Sequence, residues 1–200
     1  MLFRSPAWDS VVYWALDLET GGLDARKDPI LAVGMVPIRE GIVRLGEAYQ
    51  TLVRPEEQQS IAPESVRAHQ LVWGEVQEAP PLPEVLAEVE RRLREGALLV
   101  HHRNIDVAFL RRAYDRLDLP WRRPAVVDTA KLLLKAAKRA RFAEPDRPDE
   151  LPELNLARAR REYGLPDYGS HDALTDAVSA AELFLVLRKV LGARKLRNLL

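Results

Sequence analysis

No cysteine occurs anywhere in the chain. That absence removes thiolate zinc sites, cysteine nucleophiles and disulfide scaffolds together, and it suits a reducing compartment. Long apolar runs are missing too. The strongest early one, Val11 to Leu16, stops at Asp17, far short of the roughly 18 residues that span a bilayer. Met1 to Ser10 carries Arg4, Pro6 and Asp9 and lacks the architecture of a secretory signal. These absences predict a cytoplasmic protein with no membrane partner. Excess charge is also lacking, with 30 Lys and Arg against 30 Asp and Glu, so net charge does not announce a polyanionic partner. No internal repeat and no linker breaks the 200 residues. They are read as one domain, 1–200, large enough to bury a core without staples.

What is present is unevenly spread. Between His101 and Arg141 eleven basic residues face only four acids, Asp106, Asp115, Asp118 and Asp128. The first hundred residues lean acidic, so a basic sector is expected, equally readable as solvated helix faces. Apolar patterning predicts strands at Val11–Leu18, Ile30–Ile38 and Ile42–Val53, with Gly41 in a tight turn. A short helix opens at Pro63, and a second runs over Pro83–Glu95 to Gly96. A strand at Ala97–Val100, a helix over Asp106–Leu117 and a brief strand at Val126–Val127 follow. Helices are then expected over Asp128–Arg141, Leu154–Tyr163 and Asp172–Leu191, with a proline-rich loop at Ala143–Pro152. Strands first, then helices alternating with short strands, give an α/β fold: a mixed central sheet flanked by helices.

Three segments carry chemistry. In Leu16-Asp17-Leu18-Glu19-Thr20-Gly21-Gly22, strand alternation puts Asp17 and Glu19 on one face. Two like charges at the end of an apolar strand repel unless a cation lies between them. Carboxylate oxygens favour hard ions such as magnesium or manganese. The second segment is His101-His102-Arg103-Asn104-Ile105-Asp106, where Asp106 opens a helix just after a strand, a usual ligand position in α/β sheets. Taken alone, this motif is better explained by a helix N-cap at Asp106. The third is His171-Asp172-Ala173-Leu174-Thr175-Asp176-Ala177. Asp172 or Ser170 can cap its helix, but capping does not account for Asp176, inside the helix among apolar neighbours.

Taken in order, the three segments resemble the motifs of the DEDDh exonucleases, the DnaQ-like group of polymerase proofreading subunits, RNase T and oligoribonuclease. Asp17 to Gly22 resembles the first motif. His101 to Asp106, with Phe109-Leu110, resembles the second. Tyr163-Gly164-Leu165-Pro166 leading to His171–Ala177 resembles the third. Pro63 to His69 and Val127-Asp128-Thr129 fit as well. One departure stands out: His102 occupies a position where the family commonly has asparagine.

The resemblance implies a ribonuclease H-like fold and a 3′→5′ exonuclease with two Mg2+ or Mn2+ ions, one behind the attacking water and one behind the leaving oxygen. Asp17 would bridge both ions, Glu19 and Asp176 would complete the tighter site, and Asp106 would serve the second. His171 would act as general base in its neutral form. Leu18, Thr20 and His69 would meet the terminal nucleotide. The implied partners are single-stranded nucleic-acid 3′ ends, with single-stranded DNA favoured, and a DNA polymerase or other replication or repair protein. Two alternatives stay open: an exoribonuclease of the RNase T or oligoribonuclease type, and a silent binding module on the same fold.

Overall fold

A computed structural model describes residues 5–56, 73–143, 151–169 and 172–200. Its centre is a mixed sheet of β1 (Val12–Thr20), β2 (Ile30–Arg39), β3 (Ile42–Val43), β4 (Tyr49–Leu52), β5 (Gly96–Val100) and β6 (Val126–Asp128). The strand order is β3-β2-β1-β5-β6, with β4 also pairing β2. β1 runs antiparallel to β2, while β1, β5 and β6 are parallel to one another. The α-helices among the described residues are α1 (Trp73–Glu78), α2 (Leu82–Leu93), α3 (Arg103–Arg116), α4 (Thr129–Ala143), α5 (Leu156–Glu162) and α6 (Ala173–Val190).

β1 is buried on both faces, and its alternation builds two separate cores. Tyr13 and Ala15 pack with Leu132 and Leu133 of α4 and with Ala177, Ala181 and Phe184 of α6. Trp14, Leu16 and Leu18 pack the other way, against Val85 and Leu86 of α2 and Phe109 and Leu110 of α3. Asp17 and Glu19 continue the odd-numbered series and share the α6 side.

Several boundaries differ from the sequence expectations. β1 runs on to Thr20, so Glu19 lies inside the strand. The strand expected over Ile42–Val53 is two pieces divided by a tight turn at Leu45–Glu47. Both pieces pair with β2, and an Arg39–Glu47 ion pair of 2.7 Å ties that turn to the sheet. α3 starts at Arg103 rather than Asp106, which places Asp106 within the first turn and not at the cap. The helix expected from Pro63 falls outside the described residues. Leu199 is buried in the α6-side core with Leu196 packed against it, whereas Leu200 is exposed.

Gly34 sets how closely α6 can approach. It stands opposite Asp17 in the β1–β2 ladder. A Cβ there would meet the backbone of Ala173 and Leu174 at 2.2–2.3 Å. The first turn of α6 therefore rests directly on the β2 backbone, one helical turn from Asp176. We expect Gly34→Val to cost at least about 1–3 kcal/mol through overpacking and to weaken manganese binding as α6 is pushed off the sheet. Thermal unfolding and calorimetric titration measure both, and unchanged metal affinity would mean that the close approach is irrelevant to the site.

Candidate active site

The carboxyl ends of the parallel strands β1, β5 and β6 converge, as ligand sites in α/β sheets do. Asp17 and Glu19 come from β1 and Asp176 from the first turn of α6, and their carboxylate oxygens lie within 4.8 Å of one another. Three hard oxygen donors this close suit a magnesium- or manganese-like cation.

Asp106 reaches the same strand end from the opposite side. The pairing of β1 with β5 covers only Val12 to Ala15, so β1 overhangs its neighbour. There the Leu18 N–H donates to the Asp106 carboxylate. Asp106 is 4% exposed. Burial pushes its carboxyl up to about 8 despite bonds from its own N–H and that of Leu18, with Asp128 and Glu19 adding repulsion. Burial likewise holds Asp17 well above the ordinary carboxylate range, followed by repulsion from Asp106, Glu19, Asp176 and Asp172. Four acids drawn from three distant parts of the sequence thus form one electrostatic unit.

Supporting groups hold this unit in place. Asp172 caps α6 by accepting from the Thr175 N–H at 2.8 Å, and its second oxygen accepts from Gln50 Nε2 of β4 at 2.6 Å. Asp128 accepts from the N–H groups of His102 (3.1 Å) and Arg103 (3.3 Å) at the start of α3, and of Ala130 (3.0 Å) in α4. One carboxylate therefore ties together two helix starts. His102 is the left-handed residue before α3, with φ 63°. Asparagine tolerates that region best among residues with side chains and histidine is also enriched there, which accounts for the substitution.

The two histidines of the second motif face one carbonyl. His101 Nε2 and His102 Nε2 lie 2.7 and 3.0 Å from the Leu154 oxygen. A carbonyl only accepts, so both Nε2 atoms carry protons. His101 Nδ1 then accepts from Thr129 Oγ1 at 2.7 Å. Burial lowers His101 to about 4, against the opposing Leu154 bond and with a further push from His102. His101 is a neutral strut joining β5 to the chain before α5.

Among the expected nucleotide contacts, Thr20 is buried and its hydroxyl donates to the Gly22 carbonyl at 2.6 Å. This bond helps shape the loop after β1, as do Gly21 N–H to Pro29 O (2.8 Å) and Asp24 N–H to Asp28 Oδ2 (2.8 Å). Leu18 is 7% exposed and belongs to the α3-side core, so little of it is open to a ligand. His69 and His171 lie outside the described residues. Gly34 and Gln50 escaped the sequence reading, because their roles depend on which backbone comes to lie against them. Asp128 was visible only as part of a motif.

The fold and the carboxylate cluster define a class, an α/β protein with three acids at the carboxyl end of its sheet close enough to hold a metal ion. Comparison with known proteins gives the family. Residues 14–184 match the model of an exonuclease family, and the chain belongs to that family, the DnaQ-like exonucleases. A DNA polymerase III subunit epsilon-like protein of Rhodobacter capsulatus is 34% identical over 193 residues, 94% of this chain and 25% of that protein. The DNA polymerase III subunit epsilon of Treponema pallidum is 28% identical over 183 residues, 90% of this chain and 77% of that subunit. Among solved structures, E. coli exonuclease I in complex with a dT13 oligonucleotide superposes with a TM-score of 0.74 at 17% identity, covering 89% of this chain and 41% of that one. Several curated relatives are much longer, the chain spanning 26%, 13% and 25% of their lengths. No helix among the described residues is long and apolar enough to cross a membrane.

The acid cluster makes cation binding a proton-exchange reaction. In the metal-free fold Asp106 stays protonated up to about pH 8 and Asp17 is also held up, whereas both ionise near about pH 4 in the unfolded chain. Between those limits the folded state holds more protons, so metal-free stability falls as pH rises toward about 8. A bound cation removes that penalty. We expect manganese affinity to climb roughly tenfold or more between about pH 6 and 8, with protons released on binding. Calorimetric titrations in buffers of different ionisation enthalpy measure this, and a flat affinity profile would exclude metal binding by these carboxyls.

Proposed function

We propose that the protein is a metal-dependent 3′→5′ exonuclease that acts in the cytoplasm on single-stranded DNA ends and releases nucleoside 5′-monophosphates. The observation that carries this reading is the meeting of Asp17, Glu19 and Asp176 within 4.8 Å, with Asp106 coupled to them from α3. Asp17, central among the four, is the residue best placed to be shared by two divalent ions, Mg2+ or Mn2+. Glu19 and Asp176 would complete one site and Asp106 would serve the other. The bound ions supply an activated water and charge neutralisation at the phosphate.

The chain's own groups do the rest. The four carboxylates would hold the ions, with the Leu18 N–H beside Asp106 and the twice-capping Asp128 behind it. His171 takes the proton of the attacking water. Thr20, the rim of Leu18 and His69 receive the terminal nucleotide. A DNA substrate is supported by the relatives named as DNA polymerase III subunits, and a polymerase or another replication or repair protein is the corresponding partner.

The test is degradation of matched DNA and RNA oligonucleotides labelled at the 5′ end, with added Mg2+ or Mn2+. We expect a descending ladder from the 3′ end, faster on single-stranded DNA; preferential RNA decay would reassign the substrate, and no decay of either would defeat the reading. Asp17→Ala should remove about a thousandfold or more of the rate, the worth of several kcal/mol of metal stabilisation, and leave the fold intact because it relieves repulsion. His171→Ala should lower turnover by about 10²–10⁴-fold and spare manganese binding. A metal site lost in that second variant would show the histidine to be a ligand rather than the base.

A further inference from the structure

The connection from α5 to α6, Gly164 to Gly169, has no regular structure and is largely exposed. Its path is nevertheless defined, and one buried side chain defines it. Arg160 of α5 is only 3% exposed. Its Nη1 donates to the Ser179 carbonyl of α6 at 2.8 Å. Its Nη2 donates to the Pro166 carbonyl at 3.0 Å and to Glu182 Oε2 of α6 at 2.7 Å. The Tyr168 ring lies 4.6 Å from the guanidinium carbon, and the Tyr168 hydroxyl donates to Glu182 Oε1 at 3.1 Å. Two points on the connection and two on the helix thus meet on one cation.

Arginine suits this position for physical reasons. Its planar fork supplies several donors in fixed directions and does not lose its proton. Withdrawing the charge from water is costly unless all of it is paired, so the network has no relaxed alternative that keeps Arg160 buried. α6 itself is anchored without this residue, through Ala177, Ala181 and Phe184 in the core and through the seat on Gly34. The element that depends on Arg160 is the stretch 164–169.

We infer that Arg160 is the positioning residue of the third motif, fixing the course of residues 164–169 beside α6. This rests on the exonuclease reading, in which His171, three residues after Tyr168 in the sequence, is the base. Arg160 touches neither substrate nor ion. Its removal should therefore separate turnover from metal binding, which loss of a carboxylate would not do.

The experiment compares wild type with Arg160→Ala, Arg160→Lys and Tyr168→Leu. Tyr168 is 38% exposed, so its replacement folds even if loss of the arginine does not. We expect Arg160→Ala, assayed well below its melting temperature, to lose about 10- to 100-fold in kcat, the scale of a misplacement near 1 Å. KM and calorimetric manganese affinity should stay within about twofold. Added guanidinium ion should restore part of the rate. Arg160→Lys keeps the charge without the fork and should fall between, and Tyr168→Leu should change in the same direction by less. Amide exchange of residues 165–169 should quicken at least about tenfold in Arg160→Ala while the sheet is unchanged. Full kcat in the folded alanine variant, or parallel loss of manganese binding, overturns the inference. If wild type cleaves no oligonucleotide, the exonuclease reading fails separately; exchange then decides for Arg160, and unchanged protection of residues 165–169 overturns its role.

Discussion

Repulsion among the carboxylates at the end of β1 is the constraint around which the rest of the molecule is arranged. Asp17 sits within the influence of Asp106, Glu19, Asp176 and Asp172. A protein organised only for stability would place an apolar residue at each such position. Here the surrounding elements hold the acids together. The seat of α6 on Gly34 brings Asp176 in, the overhang of β1 beyond β5 gives Asp106 a backbone donor, and Asp128 joins the starts of α3 and α4 behind it. The strain of like charges is accepted where a cation would relieve it.

The two cores explain why the site can be so demanding. β1 is clamped on one face by α4 and α6 and on the other by α2 and α3, and its ladder with β2 stays in register from Tyr13 as far as Glu19, with a bulge only between Glu19 and Thr20. Continuous burial on both faces is the habit of strands in parallel sheets, and it leaves the carboxyl ends as the places where polar side chains can gather. His101 and Arg160 extend the same logic outward. His101 is half-buried and Arg160 buried, and the bonds of each fix irregular chain, at Leu154 and Pro166 respectively; irregular chain needs such partners because it has no ladder of its own.

Much of this was legible before any coordinates. The alternation that puts Asp17 and Glu19 on one face follows from strand geometry, and β1, β2 and β5 stand close to where their apolar runs placed them. Errors fell where side-chain patterning is uninformative. The interruption at Leu45–Glu47 depends on Arg39 reaching Glu47. The early start of α3 depends on a left-handed His102 and on Asp128, a residue 26 positions away. Neither leaves a periodic trace in the chain.

What the sequence determined by itself is the chemistry: which acids exist, that a strand carries two of them on one side, and that their order resembles one family of exonucleases. Periodicity and side-chain charge are local properties and survive without a fold. Tertiary structure alone decided that Asp106 meets the Leu18 N–H, that α6 rests on the bare backbone at Gly34, and that one arginine governs an exposed connection. These are contacts between residues far apart in the chain, set by which backbones approach and how closely, and no local pattern encodes that distance.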